Sequence, residues 1–229
     1  MKTICYVDGF NLFYGCLKHS DYKWLDLVHL IEQQILHSQS PQSELIKVKF
    51  FTANIRAKLA SHGSLAEKSQ QDYHRALETL YPDRIKIIRG YHSRPKKEWM
   101  FDYIDPPSKE KRVPVWRMEE KQTDVNIAIE AYRDAAKRNA EHQVFISNDS
   151  DLEPALKAIR DDHPSVQIGL VMPVSYNNES GKTKPHDNKR LSKHAHWTRR
   201  YITEDELSVS QLPDKVPTKK KPIIKPKYW

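Results

Sequence analysis

The first 172 residues alternate short β-branched apolar runs with segments of helical periodicity, and that alternation leaves few folds open. Strands are expected at 3–7, 45–53, 85–89, 144–147 and 166–172, and helices at 24–37, 64–80, 124–138 and 152–160. This pattern favours an α/β fold in which a central parallel sheet is flanked by helices. Ligands of such sheets gather outside the carboxyl ends of the strands, so chemistry is sought in the residues just after each strand. Asp8 and the stretch from Ser147 to Asp151 stand there.

Between 85 and 124 the alternation breaks into RGYHSRPKKEWMFDYIDPPSKEKRVPVWRMEEK. Period-two patterning at 98–104 and 113–118 around two prolines predicts a protruding β-hairpin inserted within about 90–118. Its Tyr91, Trp99, Phe101, Tyr103 and Trp116 are of base-stacking type, interleaved with Arg94, Lys96 and Lys97. Such a surface suits either single-stranded RNA or simple hairpin packing with a solvated outer face.

Charge divides the chain differently. Residues 181–229 hold thirteen Lys or Arg against five Asp or Glu, so the whole net charge of +8 falls there and residues 1–180 are neutral. A neutral body with a basic C-terminal extension, 173–229, points to a polyanion, most simply nucleic acid, or to a solubilising terminus. The closing PTKKKPIIKPKYW has the composition of a flexible, disordered tail. No apolar run approaches the ~20 residues of a membrane span, and Asp8 interrupts the N-terminal apolar stretch where a signal peptide needs continuity. Cys5 and Cys16 are too few for a disulfide framework or a zinc site, and suit a reducing cytoplasm.

Three acidic positions fall at element junctions: Asp8 in CYVDGFNLFYG, Asp124 in EKQTDVNIAIEA, and the pair Asp149 and Asp151 in VFISNDSDLEPAL. Each alone reads equally as a helix cap, worth ~0.3–1 kcal/mol near a helix start. Together they lie at one sheet edge, and two carboxylates ~4 Å apart repel by roughly 4 kcal/mol at an effective dielectric of 20. Such a cluster requires a cation or a shared proton. All-oxygen donors favour Mg²⁺ or Mn²⁺, ions suited to phosphodiester hydrolysis.

The same three blocks resemble the motifs of the NYN domain family, within the PIN-like nuclease superfamily, over roughly 1–172. The resemblance implies a PIN-like three-layer fold and a ribonuclease, of endonuclease type, that uses Mg²⁺ or Mn²⁺. It implies Asp8, Asp124 and Asp149 as metal-holding catalytic carboxylates, Asp151 as an auxiliary one, and Asn11 as the residue that positions substrate or water. Lys121 is a candidate phosphate contact, with Ser147 at the same edge. Two departures from the family pattern stand out: Asn148 stands where Gly is usual, and Gln122 and Thr123 stand where Gly and Val are frequent. Thr123 reads as a cap.

RNA is thus the expected partner, and the extension offers a surface for a homo-oligomer or a protein partner. The alternative is a non-catalytic RNA-binding or partner-binding module on the same fold. A phosphatase using Asp8 as nucleophile calls for a second carboxylate two residues on, where Phe10 stands, and no dinucleotide or P-loop glycine pattern occurs.

Overall fold

The computed structural model describes residues 1–106, 108–176 and 188–229. Strand β1 (Lys2–Asp8) runs into the short helix α1 (Gly9–Leu12), which continues as a π-helical turn over Phe13–Leu17. A second helical stretch comprises α2 (Leu27–His29), a π-helical segment Leu30–Leu36 and α3 (His37–Gln39). Then come β2 (Glu44–Ala53), α4 (Gly63–Leu80) and β3 (Ile85–His92). Strands β4 (Lys96–Phe101), β5 (Arg112–Arg117) and β6 (Glu120–Lys121) lead to α5 (Thr123–Ala136). The alternation ends with β7 (His142–Ile146), α6 (Glu153–Asp162) and β8 (Gln167–Val171). Beyond it lie β9 (Ser175–Tyr176), α7 (Lys189–Ser192), β10 (Trp197–Arg199), β11 (Ile202–Thr203), α8 (Glu204–Val209), β12 (Lys215–Val216) and β13 (Ile223–Ile224).

The central sheet has the order β10-β8-β7-β1-β2-β3-β6, and every neighbour pair is parallel except β3 with β6. Alternation along β1 divides its side chains between two cores. Cys5 and Val7 face the 27–39 helical stretch and α4, while Ile4 and Tyr6 face α5 and α6. Helices therefore cover both faces of the sheet, which lets its strands be apolar on both sides. In α5 the buried residues Ile127, Ala131 and Ala135 recur every four positions, so one stripe of that helix meets the sheet. Strands β4 and β5 pair antiparallel as a separate two-stranded sheet.

Two expectations need correction. The helix read at 24–37 begins at Leu27, because the Asp26 carboxylate accepts the His29 N–H at 2.9 Å and caps it. Trp24 and Leu25 share the helical period but are buried in the preceding turn, where Trp24 Nε1 donates to the Pro213 carbonyl at 3.0 Å.

The second correction concerns the extension. In its described residues it is no free tail: β10 is an edge strand of the central sheet, and β12 pairs with β13. Val216 and Ile223 are buried, Tyr228 Oη donates to Ser69 Oγ at 2.9 Å, and the Trp229 ring lies 5.5 Å from Tyr73. Burying each aliphatic anchor contributes about 1.5–3 kcal/mol, enough for a few of them to hold a segment that composition marks as disordered. Residues 177–187, within the stretch read as turn-rich, lie outside the described residues.

Candidate active site

Register brings the first two site residues together. Val7 pairs with Ile146 across β1 and β7, so the residues that follow, Asp8 and Ser147, emerge side by side at the carboxyl edge. Ser147 Oγ donates to Asp8 Oδ2 at 2.9 Å and accepts the Asp149 N–H at 3.1 Å. Asp8 is also the cap of α1, its Oδ1 accepting the N–H groups of Phe10 at 3.1 Å and Asn11 at 3.0 Å. Asn11 Nδ2 donates to Asp8 Oδ2 at 2.7 Å, and Asn11 Oδ1 accepts the Asn148 N–H at 3.2 Å. The tight turn after Asp8 needs Gly9, since a Cβ there would stand 2.6 Å from the Phe51 carbonyl. Gly15 is constrained likewise: its Cβ would meet the Pro173 carbonyl at 1.7 Å.

Asp149 caps the turn at Ser150–Leu152, accepting the Asp151 N–H on Oδ1 at 2.9 Å. Capping and a second role are therefore compatible at Asp149, because the cap does not use every lone pair of its carboxylate. At Asp8 the cap bonds together with those from Asn11 Nδ2 and Ser147 Oγ take about four acceptor sites, so a cation there has to displace Asn11 or Ser147.

Asp124 arrives from the other side of the sheet. Strand β6 pairs with the end of β3, and the backbones are so close that a Cβ on Gly90 would stand 2.4 Å from the Lys121 carbonyl. Gln122 follows in the left-handed region, at φ 77°, and turns the chain into α5. A glycine takes that conformation without strain, which accounts for the glycine frequent there in the family pattern and leaves Gln122 strained. Thr123 is not the cap; it is the first residue of α5, and its N–H and hydroxyl both donate to Glu120 Oε1. Asn148 has no left-handed backbone, and its carbonyl and Oδ1 each accept Asn188 Nδ2 at 3.1 Å.

The electrostatics of this edge are dominated by like charge. The Asp124 carboxyl is pushed up to about 6, first by burial and then by Asp8, Asp149, Glu120 and Asp151. Burial also raises Asp8, with a contribution from Asp149, while the hydrogen bonds from Asn11 and Ser147 act against the rise. Among the described residues no Lys or Arg pairs with any of these five carboxylates. No group of three His, Cys, Asp or Glu stands at ligating distance there either. The set nevertheless fits a hard cation, since Mg²⁺ is commonly held by one or two carboxylates and retains several waters.

The expected basic contacts have partners of their own or face solvent. Lys121 pairs with Glu119, and Lys96 with Glu98 at 2.6 Å. Lys97 lies over the Trp99 ring at 5.1 Å, Arg112 over Phe101 at 5.0 Å, and Arg94 is exposed between β3 and β4. Two features escape the sequence reading. Glu120 joins the acidic cluster, signalled only by its position in EEKQTD. A buried network also anchors α5: Lys49 Nζ bonds Asp134 at 2.5 Å and Glu130 at 2.7 Å, and Tyr6 Oη donates to Asp134 at 2.7 Å. Two lysines within the apolar run LIKVKFF, Lys47 and Lys49, were its only signal, and the structure buries Lys49.

A sequence model of the NYN domain matches residues 2–186. The chain belongs to the NYN domain family. This NYN domain has a nuclease-like, PIN-type α/β fold. It is 39% identical over 246 aligned residues to 6-hydroxy-3-succinoylpyridine 3-monooxygenase HspA of Pseudomonas putida (strain DSM 28022 / S16), covering 100% of this chain and 75% of that protein. A protein of unknown function, VPA0982 from Vibrio parahaemolyticus RIMD 2210633, is similar in structure with a TM-score of 0.48 and 15% identity, over 89% of this chain and 94% of that one, too loose a likeness to bear on function.

Proposed function

We propose that this NYN domain is a metal-dependent ribonuclease that hydrolyses RNA phosphodiester bonds at the Asp8, Asp124, Asp149 and Asp151 cleft, leaving 5′-phosphate and 3′-hydroxyl ends. The observation that carries the reading is the convergence of Asp8, Asp149, Glu120 and Asp151 on the Asp124 carboxyl, which burial first and then these neighbours push up to about 6, with no Lys or Arg paired to it among the described residues. Uncompensated negative charge at the ligand-binding edge of a parallel sheet fits a site that takes a cation and a polyanion together.

Asp8, Asp124 and Asp149 would hold a Mg²⁺ or Mn²⁺ ion, one or two of them directly and the rest through its waters, with Asp151 as an outer carboxylate. A divalent ion so held lowers the pKa of a bound water and neutralises phosphate charge. The chain's own part is positional. Asn11 and Ser147 fix Asp8 Oδ2 from two directions, so its orientation is set before anything binds. The Asn11 bridge to Asn148 ties α1 to the loop after β7. Exposed Trp99, Phe101 and Trp116 on the hairpin, with Lys97 and Arg112 on two of those rings, support single-stranded RNA as the substrate class.

The products test the chemistry. Incubation of single-stranded RNA with protein and Mn²⁺ should yield 5′-phosphate and 3′-hydroxyl ends, because attack by water leaves the ribose 2′-hydroxyl unused. Ends bearing 2′,3′-cyclic phosphate would reject the mechanism, and binding without cleavage would leave a non-catalytic RNA-binding module.

The 39% identity spanning the whole chain favours one second reading, oxygenation of a pyridine ring as the relative's name describes. Oxygen uptake with 6-hydroxy-3-succinoylpyridine and a two-electron reductant tests it.

A further inference from the structure

A pocket of about 620 Å³ opens beside the acidic cleft, beginning at Gly9 and Phe10, which directly follow Asp8. Its volume falls within the range of small-molecule sites. Three distant parts of the chain supply its walls. Phe10 and Tyr14 come from the N-terminal helical turn, their rings stacked 6.4 Å apart at 16°. Tyr73 comes from α4, and Tyr228 and Trp229 from the folded extension. The walls are thus ring faces and edges, suited to a flat ligand.

The charge of the lining is one-sided. No Asp or Glu side chain contributes to it, while Lys18, Lys23 and Arg56 do. Each of the three rests on a neutral group: Lys18 over the Tyr14 ring at 4.8 Å, Lys23 on the Ser20 carbonyl, and Arg56 on the His92 carbonyl. A cation satisfied by a carbonyl or a ring keeps its full charge available to an anion, unlike the lysines paired with carboxylates on the hairpin.

We propose that this pocket binds a planar aromatic ring bearing an anionic group, the ring between Tyr14, Tyr73 and Trp229 and the anion toward Lys18, Lys23 and Arg56. A nucleotide of an RNA strand and a free aromatic acid share that chemistry. Only the nucleotide source rests on the ribonuclease reading, in which the pocket seats a base next to the cleavage site.

Titration calorimetry on the full chain in EDTA tests the proposal, with adenosine 5′-monophosphate and pyridine-3-carboxylate as probes. Adenosine supplies a ring without the anion, and ribose 5-phosphate the anion without the ring. At least one of the two probes should bind roughly tenfold or more tightly than adenosine and ribose 5-phosphate. The surface variants Lys18→Gln and Tyr14→Ser should each weaken that probe several-fold while leaving the thermal melt in place. Preference for the nucleotide assigns the pocket to the substrate strand, and preference for pyridine-3-carboxylate assigns it to a free aromatic acid. Binding of neither probe at millimolar concentration overturns the proposal, as does affinity matched by ribose 5-phosphate or unchanged in both variants. Because EDTA is present throughout, a failure of metal-dependent cleavage leaves this result standing.

Discussion

Asn11 spans Asp8 and Asn148: its Nδ2 donates to Asp8 Oδ2 at 2.7 Å while its Oδ1 accepts the Asn148 N–H at 3.2 Å. One amide therefore orients a buried carboxylate and links two loops at the sheet edge. Asn11→Ala removes both bonds and leaves Asp8 Oδ2 with Ser147 alone. Stability should fall by about 1–3 kcal/mol in urea melts. Asn11→Asp should cost more at neutral pH, since it sets a second negative charge against Asp8.

The Lys49 network gives the largest expected loss. Lys49 is 7% exposed and bridges Glu130 and Asp134 beneath α5, the helix that carries Asp124. Lys49→Met leaves the buried Asp134 carboxylate with its bonds from Tyr6 and Asn139 but without its cation, while Glu130 keeps Lys86 and Arg133, at a cost of about 3–5 kcal/mol. Chemical denaturation measures it, and a loss under 1 kcal/mol would mean that water reaches both acids.

At Gln122 the backbone predicts a gain. A non-glycine residue at φ 77° holds strain on the order of 1 kcal/mol, and Gln122→Gly should recover about 0.5–1 kcal/mol after the entropy of the unfolded chain is counted. A lower melting temperature for the variant would show that the Gln122 side chain contributes more than its backbone costs.

Acid should weaken the fold through two histidines. Burial is the main cause that lowers His74 and His142 from 6.5 to about 4. Protonation at His142 is also blocked by contact, because its Nε2 accepts the Trp197 Nε1–H at 3.1 Å and has no room for a second proton. The unfolded chain binds protons at these sites below about pH 6.5 and the folded chain only near 4. Their contribution is therefore fully present above 6.5 and lost as pH falls through that window, on the order of 2–3 kcal/mol each. Urea midpoints at pH 7 and 4.5 should differ accordingly, and His142→Gln should show the smaller difference.

The strands were legible because β-branched apolar runs in a two-sided sheet leave little ambiguity; β2 runs Glu44–Ala53 where 45–53 was expected. Asp8 and Ser147 follow from the same logic, since strand ends locate them, whereas Asn11 came from the family resemblance. What stayed hidden depends on contacts between distant segments. Val216, Ile223 and Trp229 are three apolar side chains in a lysine- and proline-rich stretch, and composition averages them away although their burial fixes its fold. Lys121 was a candidate phosphate contact from the family resemblance, and its ion pair with Glu119 was not legible in the sequence.

The folded extension can be tested by truncation after residue 212. Removing Val216, Ile223 and Trp229 uncovers Trp24 and Tyr73, so stability should drop by several kcal/mol. An unchanged melt would restore the free-tail expectation.

Cleavage of single-stranded RNA in Mn²⁺ by wild type and Asp124→Asn tests the central claim most directly. Asp124 is destabilised by its neighbours, so its neutral replacement should melt no lower than wild type in EDTA and any loss of activity is not a loss of fold. Wild type should cleave with Mn²⁺ and not with EDTA, and Asp124→Asn should be slower by roughly hundredfold or more. Wild type inert with both Mn²⁺ and Mg²⁺, or Asp124→Asn as active as wild type, would contradict the account.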